Sequence, residues 1–260
     1  MFGLSYFTVM QAWMFIIGCC LGSFYNVVIH RLPKGESLVR PPSHCPGCDR
    51  PIAPYDNIPV VSYLLLRGKC RHCRVHISPR YPLVEALTGL VAMLLFRRYG
   101  FHPQLLVEFV FASILIIITF IDLDTYTIPD VFSLTGIGLG FLGSFLTARL
   151  SWTDSLLGVL LGGGLFWAIA AGYAWVRRRE GLGGGDIKLL AMIGAFVGWS
   201  GVVFTILAAS ISGLAVGLVV MARSRQGLTA MIPFGPFLAL GAISYIFWGQ
   251  SFFQWYMGTM

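Results

Sequence analysis

The sequence predicts an all-α polytopic membrane protein, with about eight transmembrane helices and a small zinc-ribbon-like subdomain between helices 1 and 2. Three observations lead there. Of 260 residues, 57% are hydrophobic and 11% charged, against about 25% charged in soluble domains, and the mean hydropathy is +0.78. Apolar stretches long enough to cross a hydrocarbon core of about 30 Å recur along the chain. The one long polar stretch, Arg31 to Arg80, holds nine of the 18 positive residues and four of the six cysteines. In a soluble chain the net charge of +7 would suggest nucleic acid. Here the positive residues fall between apolar spans, so they are read as an orientation signal and no nucleic-acid partner is expected.

Residues 1–30 form the first helix. They contain no Lys or Arg, so the basic start of a cleavable signal peptide is absent and a retained helix is expected. Gly22, Ser23 and Asn26 suit close packing against another helix, with the Asn26 amide bonded across the interface. Cys19 and Cys20 lie in the apolar part and read as core residues.

Residues 31–81 change to Pro, Arg, Cys and His, the composition of a soluble loop. Cys45-Pro46-Gly47-Cys48 and Cys70-Arg71-His72-Cys73 are two CxxC pairs with 21 residues between them. Each pair presents two thiolates to one tetrahedral metal, and the spacing is that of a four-cysteine zinc ribbon. Two disulfides are the alternative, but they need an oxidising compartment. His44, His72 and His76 are spare ligands. A loop of this size cannot fold on its apolar content, so the metal is expected to be its main stabiliser.

Residues 82–260 form a membrane domain of about seven helices. The second span covers about Pro82 to Phe96, with Glu85 near its start and Gly89 one turn later on the same face. The third, about Leu105 to Ile121, ends in Asp122-Leu123-Asp124, and Asp130 follows Pro129 at the start of the fourth, which runs to about Thr147. The later spans cover about Ser155 to Val176, Ile187 to Val203, Thr205 to Met221 and Pro233 to Trp248. Small-xxx-small pairs, Gly136 with Gly140, Gly158 with Gly162, Gly194 with Gly198 and Gly213 with Gly217, allow close helix crossings. No internal repeat of useful period is visible.

Orientation follows from counting. With the cysteine loop on the cytoplasmic side and eight passes, Arg177, Arg178, Arg179, Lys188, Arg223 and Arg225 join the nine positives of the loop. Fifteen positives then lie inside, against Arg97, Arg98 and Arg149 outside, which puts both termini in the periplasm. The same assignment places Asp122, which ends the third span, and Asp186, which follows Gly181-Leu182-Gly183-Gly184-Gly185 at the start of the sixth, at one membrane face.

A carboxylate at membrane depth is costly and marks a functional candidate. Two of them a few ångströms apart share a proton. The ionised one can activate a water against a peptide carbonyl while the protonated one donates to the oxygen that becomes negative. That is aspartic-protease chemistry. Asp130, beside Pro129, suits the positive end of a helix and reads as structural.

These residues carry a resemblance. Gly183-Gly184-Gly185-Asp186 fits the GxGD motif of intramembrane aspartic proteases. With Asp122, the Gly22 to Pro33 segment, the two CxxC pairs and Pro233-Phe234-Gly235-Pro236-Phe237, nearly the whole chain resembles a type IV prepilin peptidase. The resemblance implies a bifunctional enzyme of the bacterial inner membrane, serving type IV pilus assembly or type II secretion. Such an enzyme removes the basic leader of prepilins or pseudopilins on the cytoplasmic side and then N-methylates the new terminus from S-adenosylmethionine. It implies Asp122 and Asp186 as the catalytic dyad and Cys45, Cys48, Cys70 and Cys73 as the metal ligands. The methyl-donor site has no Rossmann fingerprint in the sequence, and Glu85 and Gly89 are the candidates for it. Glu36, Asp49, Asp56 and Glu180 are candidate contacts for the basic leader. The substrate and the lipid bilayer are the expected partners, and the oligomeric state stays open. A proton- or cation-coupled transporter using the Asp pair is the alternative, and a zinc-dependent membrane scaffold a third reading.

Overall fold

The computed structural model describes residues 2–177, 183–223, 232–256 and 258, and the side chains of residues 6–176 and of most others within those ranges. Gly181, Leu182, Arg178, Arg179, Glu180 and Arg225, and the side chain of Arg177, lie outside the described residues. The described chain is helical, with no strand beyond two isolated bridges, and falls into two compact units, Met1–Phe109 and Val110–Met260.

In the first unit α1 (Phe2–Arg31) packs against α3 (Arg80–Tyr99), and the polar loop between them holds a five-residue helix, α2 (Val61–Leu65). Small residues bring the two long helices together. A side-chain carbon at Gly18 would lie 2.7 Å from the Gly89 Cα, and one at Gly22 would lie 2.7 Å from the Glu85 Cα. Asn26 Nδ2 donates to the Tyr81 carbonyl at 3.0 Å, the interface bond that the apolar setting of this amide demands. The crossing thus uses Gly22 and Asn26 as the sequence suggested, with Gly18 added.

The second unit is built around α8 (Gly184–Arg223), which bends at Gly198, where φ is 74° and ψ −179°. Only a residue without Cβ adopts that conformation freely. Helix α4 (Pro103–Thr125) ends in this unit, followed by α5 (Asp130–Leu146) and by α6 (Trp152–Val159). A π-helical stretch, Leu160–Leu165, carries α6 into α7 (Phe166–Arg177). Towards the C-terminus come α9 (Gly235–Ser244), a second π-helical stretch, Tyr245–Gly249, and α10 (Gln250–Tyr256).

Contacts along α8 show that it doubles back. Gly158 of α6 meets Gly194 backbone to backbone and Gly162 meets Leu190, so α6 runs antiparallel to the first part of α8. Gly241 lies on Thr205 and Gly213 near Phe237, so α9 runs antiparallel to the second part. The N-terminus of α9 bonds Asp122, which is also in electrostatic reach of Asp186. Residues 186 and 213 therefore lie at one end of the unit and Gly198 at the other. The expected boundary between spans six and seven, near residue 204, moves to Gly198, because backbone conformation and not hydropathy decides where the helix turns. Gly136 and Gly140 face Met192 and Ala195 of α8, while among the described residues a side-chain carbon at Gly217 would meet nothing within 4 Å.

Four helical stretches among the described residues are long and apolar enough to cross a membrane: Tyr6–Lys34, Pro103–Thr125, Trp152–Val176 and Gly184–Arg223. Asp130–Leu146 and Gly235–Gly249 are apolar but shorter. The expected second span is the helix α3, whose first and last turns carry Arg80, Arg97 and Arg98. The chain is an integral membrane protein by these helices.

Candidate active site and metal centre

Asp122 lies in the last turn of α4 and is 4% exposed. Its Oδ2 accepts the backbone N–H of Gly235 at 3.1 Å, a bond that joins α4 to the first residue of α9. A side-chain carbon at Gly235 would stand 2.6 Å from that same oxygen, so only glycine lets the backbone come this near. Asp186 lies in the first turn of α8, its amide bonded back to the Gly183 carbonyl at 3.1 Å, and is half-buried. The free amides of a helix N-terminus favour a carboxylate there. Ile128 packs near both Gly185, which precedes Asp186, and Gly235, which bonds Asp122. The two acids, 64 positions apart in the sequence, come close enough for Asp186 to feel the charge of Asp122.

The neighbouring acids go elsewhere. Asp124 is exposed. Asp130 opens α5, and both its oxygens take the Lys188 ammonium at 2.7 Å, tying the first turn of α5 to that of α8. Lys188 thus serves this tie between helix starts. Glycine 235 and Ile128 were not singled out as site residues from the sequence. Gly235 lay inside the quoted Pro233 to Phe237 motif, but no local pattern signals that it touches an acid 113 positions away.

In the first unit the Sγ atoms of Cys45, Cys48, Cys70 and Cys73 lie within 4.8 Å of one another. Cys45 and Cys73 are 3.7 Å apart, close to the roughly 3.8 Å edge of a tetrahedron with metal–sulfur bonds of about 2.3 Å. Two matching turns build the cluster. The Cys45 amide bonds the Arg50 carbonyl and the Asp49 amide the Cys45 carbonyl; 25 residues later Cys70 bonds Val75 and Arg74 bonds Cys70 in the same way. Asp49 and Arg74 both take positive φ, 55° and 60°. This is an internal repeat of backbone geometry that the dissimilar side chains had concealed. Four thiols this close cannot all ionise without a cation. Amide donors from Cys73 and His72 bring the Cys70 thiol down to about 6. At Cys73 the Val75 amide pulls down, but burial and the other three sulfurs outweigh it and push the thiol up to about 11. The donor set fits a thiophilic metal ion.

Glu85 and Gly89 are both buried on α3. Glu85 is 8% exposed, and its Oε2 accepts the Val60 amide at 2.7 Å, while the Ser23 hydroxyl also reaches it. Val60 has φ 62°, a strained value for a β-branched residue, and the Glu85 bond holds it there. Gly89 faces α1, where a side-chain carbon would lie 2.6 Å from the Cys19 sulfur and 2.8 Å from the Phe15 carbonyl. Of the leader-contact candidates, Asp56 is held by Arg71, whose Nε and Nη2 donate to it at 2.5 to 3.0 Å, and Glu36 and Asp49 are exposed.

Fold and site together define an integral membrane protein with a carboxylate pair, one member buried and the other half-buried, and a separate four-cysteine cluster. Residues 109–218 match the type IV leader peptidase family, and residues 16–99 match the bacterial peptidase A24 N-terminal domain. The chain is 36% identical to a prepilin leader peptidase/N-methyltransferase of Aeromonas hydrophila, over 94% of this chain and 92% of that one. Proteins of the same name from Myxococcus xanthus and Pseudomonas aeruginosa are 42% and 35% identical, over 82% and 93% of this chain and 64% and 91% of theirs. No solved structure matches the chain. The chain belongs to the type IV leader peptidase family, and its relatives carry both a peptidase and a methyltransferase activity.

Proposed function

We propose that this chain is a prepilin or pseudopilin leader peptidase of the bacterial inner membrane that also N-methylates the terminus it exposes. The observation that carries the reading is the approach of Asp186 to Asp122, whose carboxylate the Gly235 amide holds. In this reading the ionised member of the pair takes a proton from a water as that water attacks the scissile carbonyl carbon. The protonated member donates to the carbonyl oxygen, and the pair returns a proton to the leaving amine as the C–N bond breaks. Gly235 fixes the direction of the Asp122 carboxylate, and the Asp130–Lys188 pair fixes the start of α8, hence the place of Asp186.

The four-cysteine cluster is assigned to zinc, which all-thiolate tetrahedral sites favour, and its role is to fold the loop of residues 31–81. S-adenosylmethionine, when bound, supplies the methyl group. Glu85 supports that half of the enzyme by clamping Val60 and meeting Ser23, and Gly89 by seating α3 on α1. The loop and the Asp pair are placed on the cytoplasmic side and both termini in the periplasm, supported by the distribution of Lys and Arg. A basic leader would stay on that side while its hydrophobic segment lies in the bilayer. Membership in a peptidase family leaves the transporter and scaffold alternatives without a supporting observation.

Incubating the purified protein with a prepilin and S-adenosylmethionine tests the reading. Mass spectrometry should find the leader removed and one methyl added to the new N-terminus. An intact substrate after prolonged incubation with active-site-competent, metal-loaded protein would refute it.

A further inference from the structure

The first unit contains a cavity of about 290 Å³ between the last turns of α1 and the beginning of the polar loop. That is near the lower end of the roughly 300–1,000 Å³ of small-molecule sites. Three features of its wall specify a ligand. Arg31 is 7% exposed, and its guanidinium donates from Nη1 to the Ser37 carbonyl at 3.0 Å and from Nη2 to the Pro41 carbonyl at 2.8 Å. Neutral carbonyls orient the fork but leave its charge uncompensated, and among the described residues no carboxylate pairs with it. A buried guanidinium of this kind favours a carboxylate or phosphate and disfavours a basic peptide. Phe24 and Val27 give the cavity an apolar side, on which a flat base can lie. Asn57 contributes an amide, with the paired donor and acceptor that an adenine edge requires.

We propose that this cavity binds the methyl donor, with Arg31 on the carboxylate of its methionine part and the nucleoside against Phe24, Val27 and Asn57. The proposal rests on the methyltransferase reading above and gives that activity a place. It also ties two features of the unit to the same task. Ser23 lines the cavity and reaches Glu85, so Glu85 acts on the site through Ser23 while Gly89 only packs helices. Ser43, also in the wall, bonds the Ile52 amide across the first cysteine turn, so the metal cluster sets the far side of the cavity.

The test is equilibrium dialysis of radiolabelled S-adenosylmethionine against the full-length, metal-loaded protein, followed by ultraviolet cross-linking and peptide mapping. Wild type should bind saturably, with label on peptides from residues 20–57. Arg31→Gln should bind about tenfold or more weakly, with part of the affinity restored in Arg31→Lys. Val39, at the cavity wall and 82% exposed, gives a second variant that does not disturb the packing of α1. Val39→Trp should occlude the space and weaken binding likewise, with the metal content of each variant serving as the check that the loop is folded. Unchanged affinity in both Arg31→Gln and Val39→Trp overturns the proposal and leaves the methyltransferase reading standing. A wild-type protein that cleaves prepilin but binds no donor overturns both.

Discussion

At the scale of single residues, the arrangement depends on how one carboxylate is held. Asp122 is buried at the end of a helix, where the last carbonyls offer it nothing, and it accepts the Gly235 amide. A methyl group at position 235 would be driven into the acceptor oxygen, 2.6 Å away. Gly235→Ala is therefore expected to lower kcat for leader cleavage by about 10²-fold, the usual cost of misplacing a reacting group by about 1 Å, with a smaller change in KM. Steady-state kinetics on a folded variant checks it; wild-type kcat would show that the contact does not position the acid. Asp122 and Asp186 were legible in the sequence because acids at the ends of apolar runs are rare and expensive. Gly235 and Ile128 were not, because their importance arises only when α4, α8 and α9 meet.

At the scale of elements, the cysteine loop is two copies of one turn that bring four thiols together. Because a loop of this size has little apolar core, a structural metal is expected to supply most of its folding free energy, typically about 10–16 kcal/mol for zinc. Cys45→Ser with Cys48→Ser should reduce bound metal from one ion per chain to near none, and should expose residues 31–81 to protease. Elemental mass spectrometry and limited proteolysis read the two effects, and retained metal would show that the cluster is not the site. The Asp56–Arg71 pair braces the same loop. The Arg71 hydrogen bonds hold the Asp56 carboxyl below its ordinary 3.8. A depressed acid stabilises the fold above its unfolded pKa and loses that contribution as pH falls through its folded value. Asp56→Asn should thus destabilise the loop by about 0.2–1 kcal/mol, uniformly from about pH 5 to 8, and the difference from wild type should fade in stronger acid. Melting of the loop across that range checks the sign. The CxxC spacing made this element legible beforehand, whereas the bend of α8 was not: Gly198 looks like any packing glycine until its φ of 74° is seen.

At the scale of the molecule, the chain divides into a unit with the four-cysteine cluster and a unit with the acid pair, and the two family matches, residues 16–99 and 109–218, fall on the same division. Hydropathy marked where apolar segments lie, but it did not say which would be long enough to cross alone. Among the described residues four qualify, two are shorter, and the apolar stretch of α8 folds back on itself. The central claim is that Asp122 and Asp186 together carry out leader cleavage. Its most direct test measures prepilin processing by purified wild type, Asp122→Asn, Asp186→Asn and Asp124→Asn, each inserted into the same lipid. Cleavage should fall below detection in the Asp122 and Asp186 variants and stay near wild type in the exposed Asp124 variant. Processing at the wild-type rate by either dyad variant would contradict the account.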